Sequence, residues 1–303
     1  MTGWSVTPMA PYSLSRTIGA FSRFPAERVD RVTASGFRRA FATDGGVVLL
    51  EASQAEDPQL SAPVSIEVVS ADDFADVDHA IGQLHRQLAI DEPIADVHAT
   101  LDSSPDLWPL TGALAGLRRT IDPTPFEGLV SSILAQLISI AGAAVVRGRF
   151  VEAFGQFVSH DGEEYWTFPA PESLGGVSRD RLASLGMTGN KTKAILAVAE
   201  ACKRGELSLE QLDRESDQAI ATHLVAMPGI GPWTAEWFLV NVMGRMSVVP
   251  AGDLGIRRST GLWMMGGRMP TQAEVRELYE PFGERRAYIA YFILSAERFQ
   301  LQP

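Results

Sequence analysis

Among the residues able to do chemistry, one carboxylate stands out by its setting. Asp253 lies in Val248-Val249-Pro250-Ala251-Gly252-Asp253-Leu254-Gly255-Ile256-Arg257-Arg258, at the start of a helical pattern. Aspartate caps helices very often, and the same placement presents a carboxylate to any positive charge that develops in front of it. Upstream stands Met227-Pro228-Gly229-Ile230-Gly231-Pro232-Trp233-Thr234-Ala235, with helical periodicity on both sides. Gly229 and Gly231 bracket Ile230 and permit a tight reversal with exposed backbone, and Pro232 suits the first turn of the helix that follows. Free amides in such a turn bind an anion without a charged side chain; the same pattern also serves as a plain interhelical turn. Trp233 and Trp237 share a helix face. They are packed core aromatics on one reading, and on the other two ring faces that attract a cation by about 0.5–2 kcal/mol. Arg257 and Arg258 either reach an anion or form a solvated helix end, and Lys191 and Lys193 are expected on the surface.

Several chemistries are excluded at once. The single cysteine, Cys202, allows neither a disulfide framework nor a cysteine-held zinc or iron–sulfur site. The five histidines (His79, His85, His98, His160, His223) show no metal-ligand spacing, so no catalytic metal is expected.

These residues need a scaffold, and the chain divides into two kinds of text. Residues 36–43, 46–52 and 64–70 are short runs rich in Val, Leu, Phe and Thr, and Asp44-Gly45 between the first two marks a hairpin. Residues 74–89 carry Val77, Ile81, Leu84 and Leu88 at helical spacing, and a further helix is expected over Leu14 to Phe21. Residues 91–109, rich in Asp, Ser and Pro, read as a junction. From Leu110 onward the pattern is helical, opening with a long apolar periodicity over residues 126–154 behind Asp122-Pro123-Thr124-Pro125. Short helices follow, with the hairpin at about residues 218–242. The fold class expected is α+β: a small mixed α/β domain over residues 1–105, then a larger all-helical domain over residues 106–303.

Charge first argues against a polyanionic partner, since 26 basic residues face 37 acidic ones and leave a net −11. The acidity is local. Residues 44–106 hold fourteen acidic residues against Arg86 alone, so the remainder balances at 25 basic and 23 acidic. The N-terminus lacks the order of a signal peptide, and residues 133–146 are too short for a membrane span and carry Gln136. A soluble cytoplasmic monomer with no membrane contact is expected.

The hairpin and Asp253 together resemble the helix-hairpin-helix DNA glycosylase superfamily. Phe126-Glu127-Gly128-Leu129-Val130 through Ile133-Leu134-Ala135-Gln136-Leu137-Ile138-Ser139, Phe168-Pro169-Ala170-Pro171, Leu185-Gly186-Met187 and residues 191–201 are similar in order and spacing to its alkylation-repair branch, the 3-methyladenine glycosylase II (AlkA-like) enzymes. Pro11-Tyr12 and Ile18-Gly19 fit the same branch. The resemblance implies Asp253 as the catalytic residue, Trp233 and Trp237 as the base pocket, and Leu137 as a wedge filling the gap left by a flipped nucleotide, with Gln136 beside it in the minor groove. Gly229, Ile230, Gly231, Thr234 and Arg257 would contact DNA. The partner implied is double-stranded DNA containing damaged bases; no organic cofactor is implied, and a monovalent cation on the hairpin backbone is. Members that also cut the strand carry a lysine where this chain has Trp233, so a Schiff base is not expected and the product would be an abasic site. Leu294 stands where the branch has another pocket tryptophan, which bears on substrate breadth. The expected activity is hydrolytic excision of alkylated purines; the alternatives are a glycosylase for oxidised or deaminated bases, and a non-catalytic lesion binder.

Overall fold

The computed structural model describes residues 3–19, 21 and 26–303. The chain opens with β1 (Gly3–Val6), α1 (Leu14–Ile18), β2 (Asp30–Val32), β3 (Phe37–Thr43), β4 (Gly46–Gln54) and β5 (Val64–Ala71). α1 falls inside the helix expected over Leu14 to Phe21, of which Ala20 lies outside the described residues. The strands form one antiparallel sheet in the order β1-β5-β4-β3-β2. The Asp44-Gly45 turn makes a β3–β4 hairpin with Thr43 opposite Gly46. β1 and β2 were not legible from pattern, because strands of four and three residues are too short to show alternation. α2 (Val77–Gln87) lays Val77, Ala80 and Leu84 on the sheet against Phe37, Val48, Leu50 and Ile66.

The stretch expected as a junction contains one whole helix, α3 (Ala95–Asp102), and the first two residues of another, α4 (Trp108–Ala113). Val97, Leu101 and Leu110 from them join the apolar core of the C-terminal helices. Its Asp, Ser and Pro residues fall largely on exposed faces and helix ends, which is why composition read as linker. Then come α5 (Pro125–Ala135), α6 (Ile140–Phe154), β6 (Phe157–His160), β7 (Glu163–Trp166), α7 (Arg179–Ala183), α8 (Gly189–Lys203), α9 (Leu209–Leu212), α10 (Asp217–Val225), α11 (Pro232–Asn241), α12 (Leu254–Met264), α13 (Gln272–Tyr279) and α14 (Arg286–Ala296). The second unit is therefore not all helical: β6 and β7 form a two-stranded hairpin within it. The single long periodicity over residues 126–154 is likewise two helices, α5 and α6, broken at Gln136-Leu137.

The helices build two cores. One gathers Leu129 and Ile133 of α5, Phe150 of α6, Ile195 and Val198 of α8, Ile220 and Leu224 of α10, and Phe238 and Leu239 of α11. The other gathers α3, α4, Ile256 and Trp263 of α12, Val275 of α13 and Phe292 of α14. α11 belongs to the first and α12 to the second, so the connection between them runs along the seam between the cores.

A buried charge network ties the sheet to this frame. Arg39 of β3 pairs with Asp30 at 2.7 Å and with Glu127 of α5, while Arg147 of α6 reaches Glu127 at 2.8 Å, Asp30 at 3.6 Å, and Glu27. Gln87 of α2 donates to Asp30 at 2.7 Å. Removing one partner from such a set leaves an uncompensated charge away from water. Arg39→Met is accordingly expected to lower the free energy of unfolding by about 3 kcal/mol in urea denaturation. A loss below about 1 kcal/mol would mean that water already screens the network.

Candidate active site

The break between α5 and α6 is shaped by side-chain and backbone needs at each residue. Gln136 leaves the helix with ψ 128° and Leu137 adopts φ 58°, a left-handed conformation unfavourable for a non-glycine residue. Ser139 then caps α6, accepting from the Gly142 amide at 3.1 Å. The turn thrusts Leu137 into solvent at 103% exposure, with Ile138 and Ile140 also exposed. A strained backbone carrying apolar side chains into water is destabilising in isolation, and such features persist where a ligand takes up the exposed group.

Gln136 is engaged inward rather than outward. Its Nε2 donates to Gly229 O and to Thr234 Oγ1, each at 3.0 Å. Gln136 was expected beside Leu137 in the minor groove; in the structure its amide nitrogen ties the Gln136-Leu137 turn to the α10–α11 hairpin, because that carbonyl and hydroxyl lie within its reach. Lys191 was expected on the surface and is instead buried, donating from Nζ to Leu134 O at 2.7 Å. Burial pushes its ammonium below the ordinary lysine value.

The hairpin is a tight turn held by its apolar residue. Ile230 is buried in the first core, while the flanking Gly229 is exposed and Gly231 half-buried. Gly229 has φ 74°, and a Cβ there would come within 2.8 Å of Ala194 Cβ, so both conformation and close packing on α8 require glycine. α11 begins at Gly231 with no side-chain cap, unlike α5, α6, α8, α10 and α12, whose caps are Thr124, Ser139, Thr188, Ser216 and Asp253. Pro232 brings no amide, and Gly231 has no side chain with which to cap those of Trp233 and Thr234. Met227 O accepts the Ile230 amide at 3.3 Å, and Gly229 O accepts from Gln136.

Asp253 lies across the seam from this helix. One oxygen, Oδ1, accepts from the Ile256 amide at 3.0 Å and caps α12. The other, Oδ2, accepts from both indoles: Trp233 Nε1 at 3.0 Å and Trp237 Nε1 at 3.2 Å. The rings meet edge to face, with centroids 6.5 Å apart and planes at 73°. Neither tryptophan is a buried core residue; both are half-buried, with N–H edges turned to the carboxylate. The helix-cap reading of Asp253 holds through Oδ1, and Oδ2 is left to the two indole donors.

Gly255 keeps this corner open: a Cβ there would lie 3.0 Å from Asp253 Oδ1 and 3.2 Å from Leu294 Cδ1. A glycine in the first turn of a helix whose cap is the site carboxylate was the available signal. Leu294 thus borders the same corner. Arg257 sits beside it with Nε donating to Pro270 O at 2.8 Å, and Arg258 pairs with Glu297 at 3.0 Å on the surface. Among the described residues no group of histidine, cysteine and carboxylate side chains could hold a metal ion.

Comparison with known proteins places this arrangement. Residues 130–284 match the model of the HhH-GPD superfamily of base excision DNA repair proteins. The chain is 30% identical over 210 residues to a DNA-3-methyladenine glycosylase of Bacillus subtilis, covering 69% of each protein. It is 32% identical over 254 residues to a probable bifunctional transcriptional activator/DNA repair enzyme AlkA of Mycobacterium tuberculosis, covering 82% of this chain but 48% of that protein. Its fold matches a 3-methyladenine DNA-glycosylase from Archaeoglobus fulgidus with a TM-score of 0.83 at 24% identity, over 99% of this chain and 100% of the other.

Replacing Asp253 by alanine removes one helix cap and the single acceptor that two indole N–H groups share. Asp253→Ala is expected to lower stability by about 1 kcal/mol through the cap. In NMR spectra the Hε1 resonances of both Trp233 and Trp237 should move and exchange faster with solvent. Movement of only one would contradict the shared acceptor.

Proposed function

The chain belongs to the HhH-GPD superfamily of base excision DNA repair proteins, and from that premise we propose that it is a monofunctional DNA N-glycosylase of the 3-methyladenine type. It acts as a monomer on duplex DNA, flips out an alkylated purine, hydrolyses its N-glycosidic bond and leaves an abasic site.

The observation that carries this reading is the convergence of two indole N–H groups on Asp253 Oδ2. Methylation at N3 or N7 makes a purine cationic and already a good leaving group. As the C1′–N bond breaks, its electron pair goes to the base and the sugar acquires oxocarbenium character. A carboxylate fixed by three N–H donors faces that charge without having to reorganise. Water then adds to C1′ and releases its proton. The half-buried faces of Trp233 and Trp237 border the same space and attract the cationic base by about 0.5–2 kcal/mol.

The other parts support substrate extrusion. The uncapped amides at Gly231 and the start of α11 suit a backbone phosphate, and this explains how a chain with net charge −11 grips DNA. Leu137, exposed on its strained turn, suits the gap left in the stack. The chain has three lysines, Lys191, Lys193 and Lys203, and none lies on α11, so an amine nucleophile of the strand-cutting kind is missing from that helix. Leu294 in place of an aromatic residue leaves one wall of the pocket aliphatic.

Wild-type protein is expected to release 3-methyladenine and 7-methylguanine from methylated duplex DNA, and Asp253→Asn to slow single-turnover release by roughly 100- to 1000-fold. Binding of methylated duplex with no release by the wild type would instead establish a lesion binder. Trp237→Phe keeps the ring and removes one charge-assisted hydrogen bond, and should slow release by roughly tenfold or more. A rate equal to wild type would reduce the indole to a packing group.

A further inference from the structure

The wedge turn has an anchor that neither the charge pattern nor the hairpin motif accounts for. α5 ends at Ala135 and the chain turns away at Gln136, so Leu134 O loses the amide four residues on that a continuing helix would supply. Lys191 Nζ takes that place at 2.7 Å. Among the described residues Lys191 makes no ion pair within 4.0 Å, although its side chain is buried. A buried ammonium without a counter-ion is costly, and what it meets here is the negative end of the α5 dipole. The choice of residue is telling in a chain with only three lysines among its 26 basic residues. One carbonyl suits a compact ammonium, whereas a guanidinium fork would leave donors unmet.

Lys191 stands in the first turn of α8, and the first two turns of that helix also carry the hairpin. Gly229 packs so closely on it that a Cβ would lie 2.8 Å from Ala194 Cβ and 3.4 Å from Asn190 O. The third side of the triangle is Gln136, whose Nε2 joins the wedge turn to Gly229 O and Thr234 Oγ1. Leu137, at the apex, is fully exposed and receives no support from its own side chain. On the glycosylase reading above, we propose that Lys191 is a positioning residue that locks the Gln136-Leu137 turn to α8 and the hairpin, so that wedge and phosphate grip meet the duplex as one rigid unit.

The test uses the full chain with Lys191→Met, and Lys191→Gln should methionine prevent folding. The first readout needs no chemistry: fluorescence of 2-aminopurine next to a tetrahydrofuran abasic analogue in duplex DNA, which rises when a wedge enters the stack. The variant is expected to lose most of the wild-type rise. The second is single-turnover release of 7-methylguanine from a normal pair and from a one-nucleotide bulge, where the base is already unstacked. A displaced wedge should cost roughly tenfold or more on the paired substrate and less than about threefold on the bulged one. Equal losses on both substrates, or an unchanged fluorescence rise, would overturn the proposal. A wild type that gives the fluorescence rise but releases no base would overturn the glycosylase reading instead, and the fluorescence contrast would still decide the role of Lys191.

Discussion

Two indole N–H groups from one helix reach a single carboxylate oxygen at the start of the next, at 3.0 and 3.2 Å. Hydrogen bonds of this kind tolerate a few tenths of an ångström, so α11 and α12 must hold a fixed separation. They are held from opposite sides. α11 sends Phe238 and Leu239 into one core, and α12 sends Ile256 and Trp263 into the other. Trp237 also packs on the second core, so the residue that orients the carboxylate spans the seam. The site is the place where two independently packed bodies meet, and its geometry is only as good as their packing.

The same logic explains the remaining architecture. α5 and α6 flank the Gln136-Leu137 turn, and each carries one arm of the buried network, Glu127 and Arg147, which Asp30 and Arg39 of the sheet complete. The small domain therefore braces the two helices from behind while its acidic residues remain distributed over residues 44–106. Net charge and DNA binding are reconciled by location. On the proposed function, contacts to phosphate fall to backbone amides at the hairpin, which bring no net charge and need no basic surface.

Much of this was legible in the residues. Gly229, Gly231 and Pro232 announce the hairpin because each is needed for a backbone reason, and Asp253 announces a helix start because its short carboxylate fits a cap. The break at Gln136-Leu137 was hidden, since Ile133, Leu134, Leu137 and Ile140 continue a helical apolar spacing and the left-handed residue is leucine rather than glycine. Ser139 as a cap was the one local hint. Lys191 was misread for a related reason: lysine is so seldom buried that pattern alone assigns it to the surface, and only the orphaned Leu134 carbonyl, a consequence of the break, gives it a partner. β1 depends on a partner remote in sequence, Glu67 for Gly3, and β2, although it pairs with the neighbouring β3, has only three residues in which to show alternation.

On the proposed function Asp253, held by its amide and indole donors, stabilises a sugar cation rather than attacking or deprotonating first. The most direct measurement is the secondary deuterium isotope effect at C1′ of 7-methyldeoxyguanosine in duplex DNA, under single-turnover conditions with the wild-type chain. A clearly normal effect, reporting loosened bonding at the anomeric carbon with departure of the base ahead of water, is predicted. An effect indistinguishable from unity, as for displacement by a nucleophile already bonded to C1′, would contradict the account.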